Sequence, residues 1–205
     1  MPVLKPKLYY VYDPMCSWCW GYKPVWNQIK QAVTDDVEII YVLGGLAPDT
    51  DEPMPEMMQA QIASHWKKIE NFLGSKFNYE FWTDNTPRRA TYPACRAIVA
   101  ARAQDAEQAM LDAIQVAYYT QAKNPSDNSV LVALAKNIGL DIPQFETDLL
   151  ALKTHQALLT EIRFARSIGG SSFPSLFVVR EGKQVEIPVD YKDAEVTIEL
   201  IRSVI

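Results

Sequence analysis

Strand-like segments occur only toward the two ends of this 205-residue chain, and the stretch from 54 to 168 between them carries helical periodicity. Leu8 to Tyr12 is a short, bulky, β-prone run that stops at Asp13-Pro14. Val37 to Leu43 is a nearly continuous apolar run, the pattern of a strand covered on both faces, and Gly44-Gly45 ends it. A helix is predicted between them, from about Cys16 toward Ala32, with Val25, Ile29 and Ala32 or Val33 as its apolar stripe and Pro24 as a kink. Strand, helix and strand together form the βαβ unit of a mostly parallel sheet. At the other end, Leu176 to Val179, a turn at Glu181-Gly182 and Val185 to Val189 predict an antiparallel hairpin, and Ala194 to Val204 predicts a closing helix.

The middle holds three helical stretches. Ala109, Leu111, Ile114, Ala117 and Tyr118 fit one, while Val130, Leu131, Leu134, Ala135 and Ile138, stopped by Gly139, fit another. A third follows Pro143, with Phe145, Leu149, Leu152, Leu159, Ile162 and Ile168 facing inward. Isolated strands cannot bury their faces, so the two ends are expected to share one sheet. That predicts an α/β domain built from residues 1–53 and 169–205, interrupted by an all-helical subdomain at 54–168.

A formal net charge of −5 and a pI near 5.1 argue against nucleic acid or an anionic membrane surface as the partner. The segment MPVLKPK carries no apolar core before the first strand, so a cytoplasmic address is expected, although a chain whose leader had been removed would read the same. Three cysteines are too few for a disulfide framework, which makes cysteine here a matter of reactivity.

Two of them, Cys16 and Cys19, form a CxxC pair. Alone, that spacing suits a redox disulfide, half of a zinc site or chance. Its place after a strand, at the first turn of a helix, puts the first thiol among unsatisfied N–H groups at the positive end of the dipole. Such a site lowers a thiol pKa from about 8.5 into a range of roughly 3.5 to 7.5. Cys16 is then the nucleophile and Cys19, one turn on, the resolving thiol. Zinc would need more ligands, and Cys95, His65 and His155 show no ligand spacing, so no metal is expected.

The stretch Asp13-Pro14-Met15-Cys16-Ser17-Trp18-Cys19-Trp20-Gly21, with Pro24 beyond it, resembles the active-site segment of DsbA-like proteins, most closely the FrnE-like group of protein-disulfide isomerases. A second motif, Ser172-Phe173-Pro174-Ser175-Leu176-Phe177, resembles the cis-proline loop of the thioredoxin superfamily. The resemblance implies a thioredoxin-like fold with a helical insertion, a cis Phe173–Pro174 bond opposite the cysteines, and a backbone edge there that pairs with substrate. A trans proline opening a strand is the plainer alternative. The pattern also departs from the family. The buried carboxylate that thioredoxin and DsbA place six residues before the first cysteine is replaced by Tyr10, and no His stands between the cysteines. Asp13 is nearer and either substitutes for that acid or merely ends the strand. A less oxidising couple than that of DsbA is expected.

Trp18 and Ser17 lie between the cysteines, and Trp18 is expected to form an apolar lip for substrate. Trp20, Trp26, Trp66 and Trp82 are read as packing residues, and His65 and His155 as helix surface. Cys95 is either a third redox thiol or a small buried hydrophobe, and Arg96 is a candidate to orient a thiolate or a glutathione carboxylate. The leading function is therefore thiol/disulfide exchange with protein or small-thiol substrates, no cofactor, and glutathione as a redox partner. A glutathione-dependent isomerase or transferase of the kappa and 2-hydroxychromene-2-carboxylate isomerase type ranks second. A peptide-binding module that uses its cysteines little is a third reading. Oligomeric state has no signature in the sequence.

Overall fold

The computed structural model describes residues 5–205; the first four residues of the predicted 1–53 segment lie outside it. Strand β1 (Lys7–Tyr12) leads into helix α1 (Ser17–Val33) and strand β2 (Glu38–Leu43). Seven described helices follow: α2 (Glu56–Leu73), the single turn α3 (Phe81–Asp84), α4 (Tyr92–Arg102), α5 (Glu107–Thr120), α6 (Asn128–Asn137), α7 (Ile142–Leu150) and α8 (Leu152–Ser167). The chain then forms β3 (Ser175–Arg180), β4 (Lys183–Ile187) and α9 (Ala194–Val204). The result is a mixed α/β architecture around one four-stranded sheet, in the order β2-β1-β3-β4.

The sheet corrects the mostly parallel expectation. β1 pairs with β2 in parallel through the α1 crossover, but the β3–β4 hairpin enters antiparallel to β1 and makes the sheet mixed. Glu181 and Gly182 both have positive φ, 51° and 77°, the backbone that a two-residue hairpin turn requires. β2 is an edge strand and its first four residues are exposed or half-buried, so its long apolar run does not mean cover on both faces.

The helical middle differs in detail. Met110 rather than Ala109 is buried on α5, and the stretch after Pro143 is two helices, broken where Ala151 turns extended at φ −68°, ψ 139°. The break re-phases the buried face, so Leu158 points inward while Leu159 is half-buried and Leu152 is exposed. A cluster of charge ties these helices to the sheet. Arg102 on α4 donates to both oxygens of Glu161 on α8 at 2.8 Å and pairs with Glu107 on α5 at 2.6 Å. Glu161 in turn accepts the Leu43 N–H of β2 at 3.1 Å.

Two aromatic groups hold the site. Tyr10 of β1 stacks on Trp26 of α1 at 4.3 Å, and Trp26 donates to the Tyr41 hydroxyl at 2.9 Å. Trp66 on α2 is fully buried against Phe81 of α3 and Tyr118 and Tyr119 of α5. Burying each side chain of this size contributes about 1.5–3 kcal/mol, which fixes α2 and α5 as the wall facing the cysteines.

Candidate redox site

The site begins where β1 must stop. Asp13 turns the chain: its Oδ1 accepts the Met15 N–H at 2.8 Å and its carbonyl accepts the Cys16 N–H at 3.0 Å. Cys16 is left as the extended N-cap residue of α1, at φ −80° and ψ 115°, and its carbonyl accepts the Trp20 N–H at 3.1 Å. The thiol therefore stands at the positive end of the α1 dipole, near the free N–H groups of the first turn, but makes no capping hydrogen bond to them. Cys19 follows one turn later and is more deeply buried, at 1% exposure against 7% for Cys16. Both are free thiols in this structure. Burial pushes the Cys19 pKa well up, and a hydrogen bond to Cys16 adds to the rise. Cys19 is thus held as a thiol beside its partner.

The second motif comes from the far end of the sequence. The Phe173–Pro174 peptide bond is cis, and the Phe173 carbonyl accepts the Cys16 thiol at 3.5 Å. Gly44, just past β2, permits this approach, because a Cβ there would sit 1.9 Å from the Phe173 ring. Arg166 of α8 stacks over the same ring at 5.3 Å and donates to the Gly44 carbonyl at 3.0 Å.

Asp13 does far more than end a strand. It is fully buried, and its Oδ2 accepts the Leu46 N–H at 2.7 Å, the Thr91 hydroxyl at 2.7 Å and the Cys95 thiol at 3.5 Å. Cys95 is fully buried on α4 behind this carboxylate, and its pKa is pushed well up by burial first and by Asp13 second. Arg96 points elsewhere. Its guanidinium holds both oxygens of Asp49 at 2.7 and 2.8 Å and lies in a separate polar cavity with Asp127, away from the thiols. One residue on along α4 from Cys95 is about 100° around the helix, which is why the two neighbours diverge.

The cavity that opens on Cys16 has a volume of about 330 Å³ and is lined by Ser17, Trp18 and Phe173, together with Gln61, His65 and Arg89, whereas Pro174 is not among its lining residues. Trp18 is half-buried and meets Tyr191 edge-on at 5.0 Å. Arg89 escaped the sequence reading. His65 looked like helix surface, yet it shares one face of α2 with Gln61 and Ile62, and that i, i+3, i+4 spacing was the available signal. Arg88 and Arg89 project in opposite directions: Arg88 pairs with Asp127 at 2.6 Å, whereas Arg89 has no ion pair among the described residues and faces the thiol cavity.

Comparison with known proteins is consistent with this layout. A family model described as thioredoxin matches residues 9–196. A candidate protein disulfide isomerase from Nitrosomonas europaea is 29% identical and superposes with a TM-score of 0.85, covering 97% of each chain. The cytosolic disulfide reductase DsbM of Pseudomonas aeruginosa is similar in fold, with a TM-score of 0.78 at 21% identity, covering 97% of this chain and 98% of the other. A curated relative, the ClpXP adapter protein SpxH of Bacillus subtilis, is 24% identical over 191 residues, which are 90% of this chain and 63% of the relative's own length.

Proposed function

Because the chain belongs to the thioredoxin family and is DsbA-like in fold, we propose that it is a thiol/disulfide oxidoreductase in which Cys16 attacks a substrate disulfide and Cys19 resolves the product. One observation carries this reading: the Cys16 thiol stands at a helix N-terminus, 3.5 Å from the Phe173 carbonyl, with Cys19 buried directly behind it. The cavity in front supports peptide disulfides and small thiols as substrates. Its apolar wall, formed by Trp18 and Phe173, suits a side chain beside the reacting sulfur, and Arg89 with His65 suits a carboxylate. Glutathione, which has two carboxylates, fits as a redox partner, and the DsbM protein has been solved with GSH. A cytoplasmic setting, where the glutathione pool is reducing, would run the pair toward reduction or isomerisation. No described helix is long and apolar enough to cross a membrane.

A redox titration against glutathione, read by intact mass, tests this reading. Reversible loss of two hydrogens is expected, Cys19→Ala should accumulate a mixed disulfide on Cys16, and Cys16→Ser should abolish exchange. Stable glutathione binding without that loss would instead favour the isomerase or transferase reading. If Cys19 alkylates faster than Cys16 at about pH 7, the two roles are wrongly assigned. The curated relatives support a second reading, a binding module of the adapter kind. On that reading Cys16→Ser would leave partner binding intact.

A further inference from the structure

The resolving step asks a buried thiol to lose its proton. Once Cys16 carries a substrate sulfur, Cys19 must become a thiolate, and its burial disfavours that form. The position six residues before Cys16 offers a phenol, Tyr10, instead of a carboxylate, and burial raises the Tyr10 pKa so that it stays a hydrogen-bond donor. Asp13 is close but saturated: Met15, Leu46, Thr91 and Cys95 already donate to it, about as many donors as a carboxylate has lone-pair positions.

Behind Cys19, separate from the substrate cavity, lies a small second cavity of about 20 Å³. That is room for one water molecule. Cys19, Tyr10 and Gln115 line it, and Lys23 and Lys30 of α1 line it as well. Gln115 of α5 is 3% exposed, and its Oε1 has no hydrogen-bond partner among the described residues. A buried amide oxygen left without a partner destabilises the fold, so a polar space of one-water size beside it is where its partner belongs.

We propose that Gln115 and Tyr10 hold a single water against the Cys19 thiol, and that this water carries the Cys19 proton out of the core during resolution. The inference rests on the exchange reading above. In the step, the Cys19 S–H bond breaks and its proton passes through the water to bulk solvent. The Cys19 sulfur forms a bond to Cys16 Sγ, the bond between Cys16 and the substrate sulfur breaks, and that sulfur leaves with the electron pair as a thiolate. The cysteine pair is oxidised and the substrate sulfur reduced. Gln115 accepts a hydrogen bond from the water, Tyr10 donates toward the forming thiolate, and Lys30, the lining ammonium without an ion pair among the described residues, favours the negative charge, whereas Lys23 is already paired with Asp112. Other titratable groups whose charge acts on Cys19 or its neighbours are Cys16, Asp13, Tyr22, Tyr41, Tyr119 and Tyr191, with Asp112 paired to Lys23 at 2.7 Å.

The test is stopped-flow reaction of the reduced protein with 5,5′-dithiobis(2-nitrobenzoate). Attack by Cys16 releases one coloured thiolate and closure by Cys19 releases a second, followed between about pH 6 and pH 10. Gln115→Leu is expected to leave the first phase unchanged and slow the second about tenfold near neutrality, the effect of about one pKa unit from losing the water, and with it the water's hydrogen bond to the forming anion. The deficit should close at the alkaline end, where solvent hydroxide removes the proton directly. Tyr10→Phe, which keeps the ring stacked on Trp26, should do the same to a smaller degree, and Gln115→Glu should restore the second phase. A second phase unchanged in both Gln115→Leu and Tyr10→Phe, or both phases slowed equally at every pH, overturns the water path. If the parent protein itself releases a single thiolate, the exchange reading fails first.

Discussion

At the residue scale, the decisive group is one that looks dull in the sequence. Asp13 looks like half of an Asp-Pro strand stop, yet its two oxygens organise the turn before Cys16, the Leu46 backbone and the start of α4 through Thr91 and Cys95. This placement makes Cys95 part of the buried Asp13 network. Fully buried and with its pKa raised, it should resist iodoacetamide in the native protein near pH 7, while Cys16 labels readily. Mass mapping of the labelled cysteines checks this, and native labelling of Cys95 at a rate close to that of Cys16 would give it a chemical role after all.

At the element scale, the site is made where three segments end together: the end of β2, the start of α1 and the loop before β3. Gly44 is the hinge of that meeting, its N–H donating to the Tyr12 carbonyl at 2.7 Å while the Phe173 ring occupies the space a side chain would need. Arg166 clasps both loops, donating to the Gly44 and Gly170 carbonyls. Gly44→Ala should therefore push Phe173 and its carbonyl off Cys16. The expected outcome is a loss of about 1–3 kcal/mol in urea unfolding, typical of overpacking, and a fall of about tenfold in the rate of Cys16 attack. A variant that loses stability but keeps the full rate would show that the Phe173 carbonyl does not position the nucleophile.

At the scale of the whole molecule, burying thiols and phenols ties stability to alkaline pH. Cys19 and Cys95, and beyond them Tyr10, Tyr12 and Tyr119, all have folded pKa values raised chiefly by burial. Below the unfolded thiol value of about 8.5 both states keep their protons; above it the unfolded chain ionises first, so folding loses free energy as pH rises. Urea midpoints of the reduced protein should fall between about pH 7.5 and pH 9.5, by on the order of 1 kcal/mol per buried thiol. The double variant Cys19→Ala, Cys95→Ala should show a flatter profile, and an equal slope in parent and variant would assign the dependence to other groups.

Much of this molecule was written locally. The bulky runs, the Asp-Pro stop, the Glu181-Gly182 turn and the closing helix are matters of side-chain period and backbone preference within a few residues, and the sequence shows them at nearly the boundaries found. The CxxC pair and the Phe173-Pro174 motif were legible for the same reason, as short contiguous patterns. What the chain could not show along its length is contact between distant segments. The antiparallel entry of β3, the edge position of β2, the break at Ala151, the turning of Arg89 toward the thiols and of Arg96 away, and the orphan amide of Gln115 behind Cys19 all depend on which surfaces meet. Burial and the direction of a side chain arise only when those surfaces close on one another, so the cysteine pair belongs to the sequence while its environment belongs to the fold.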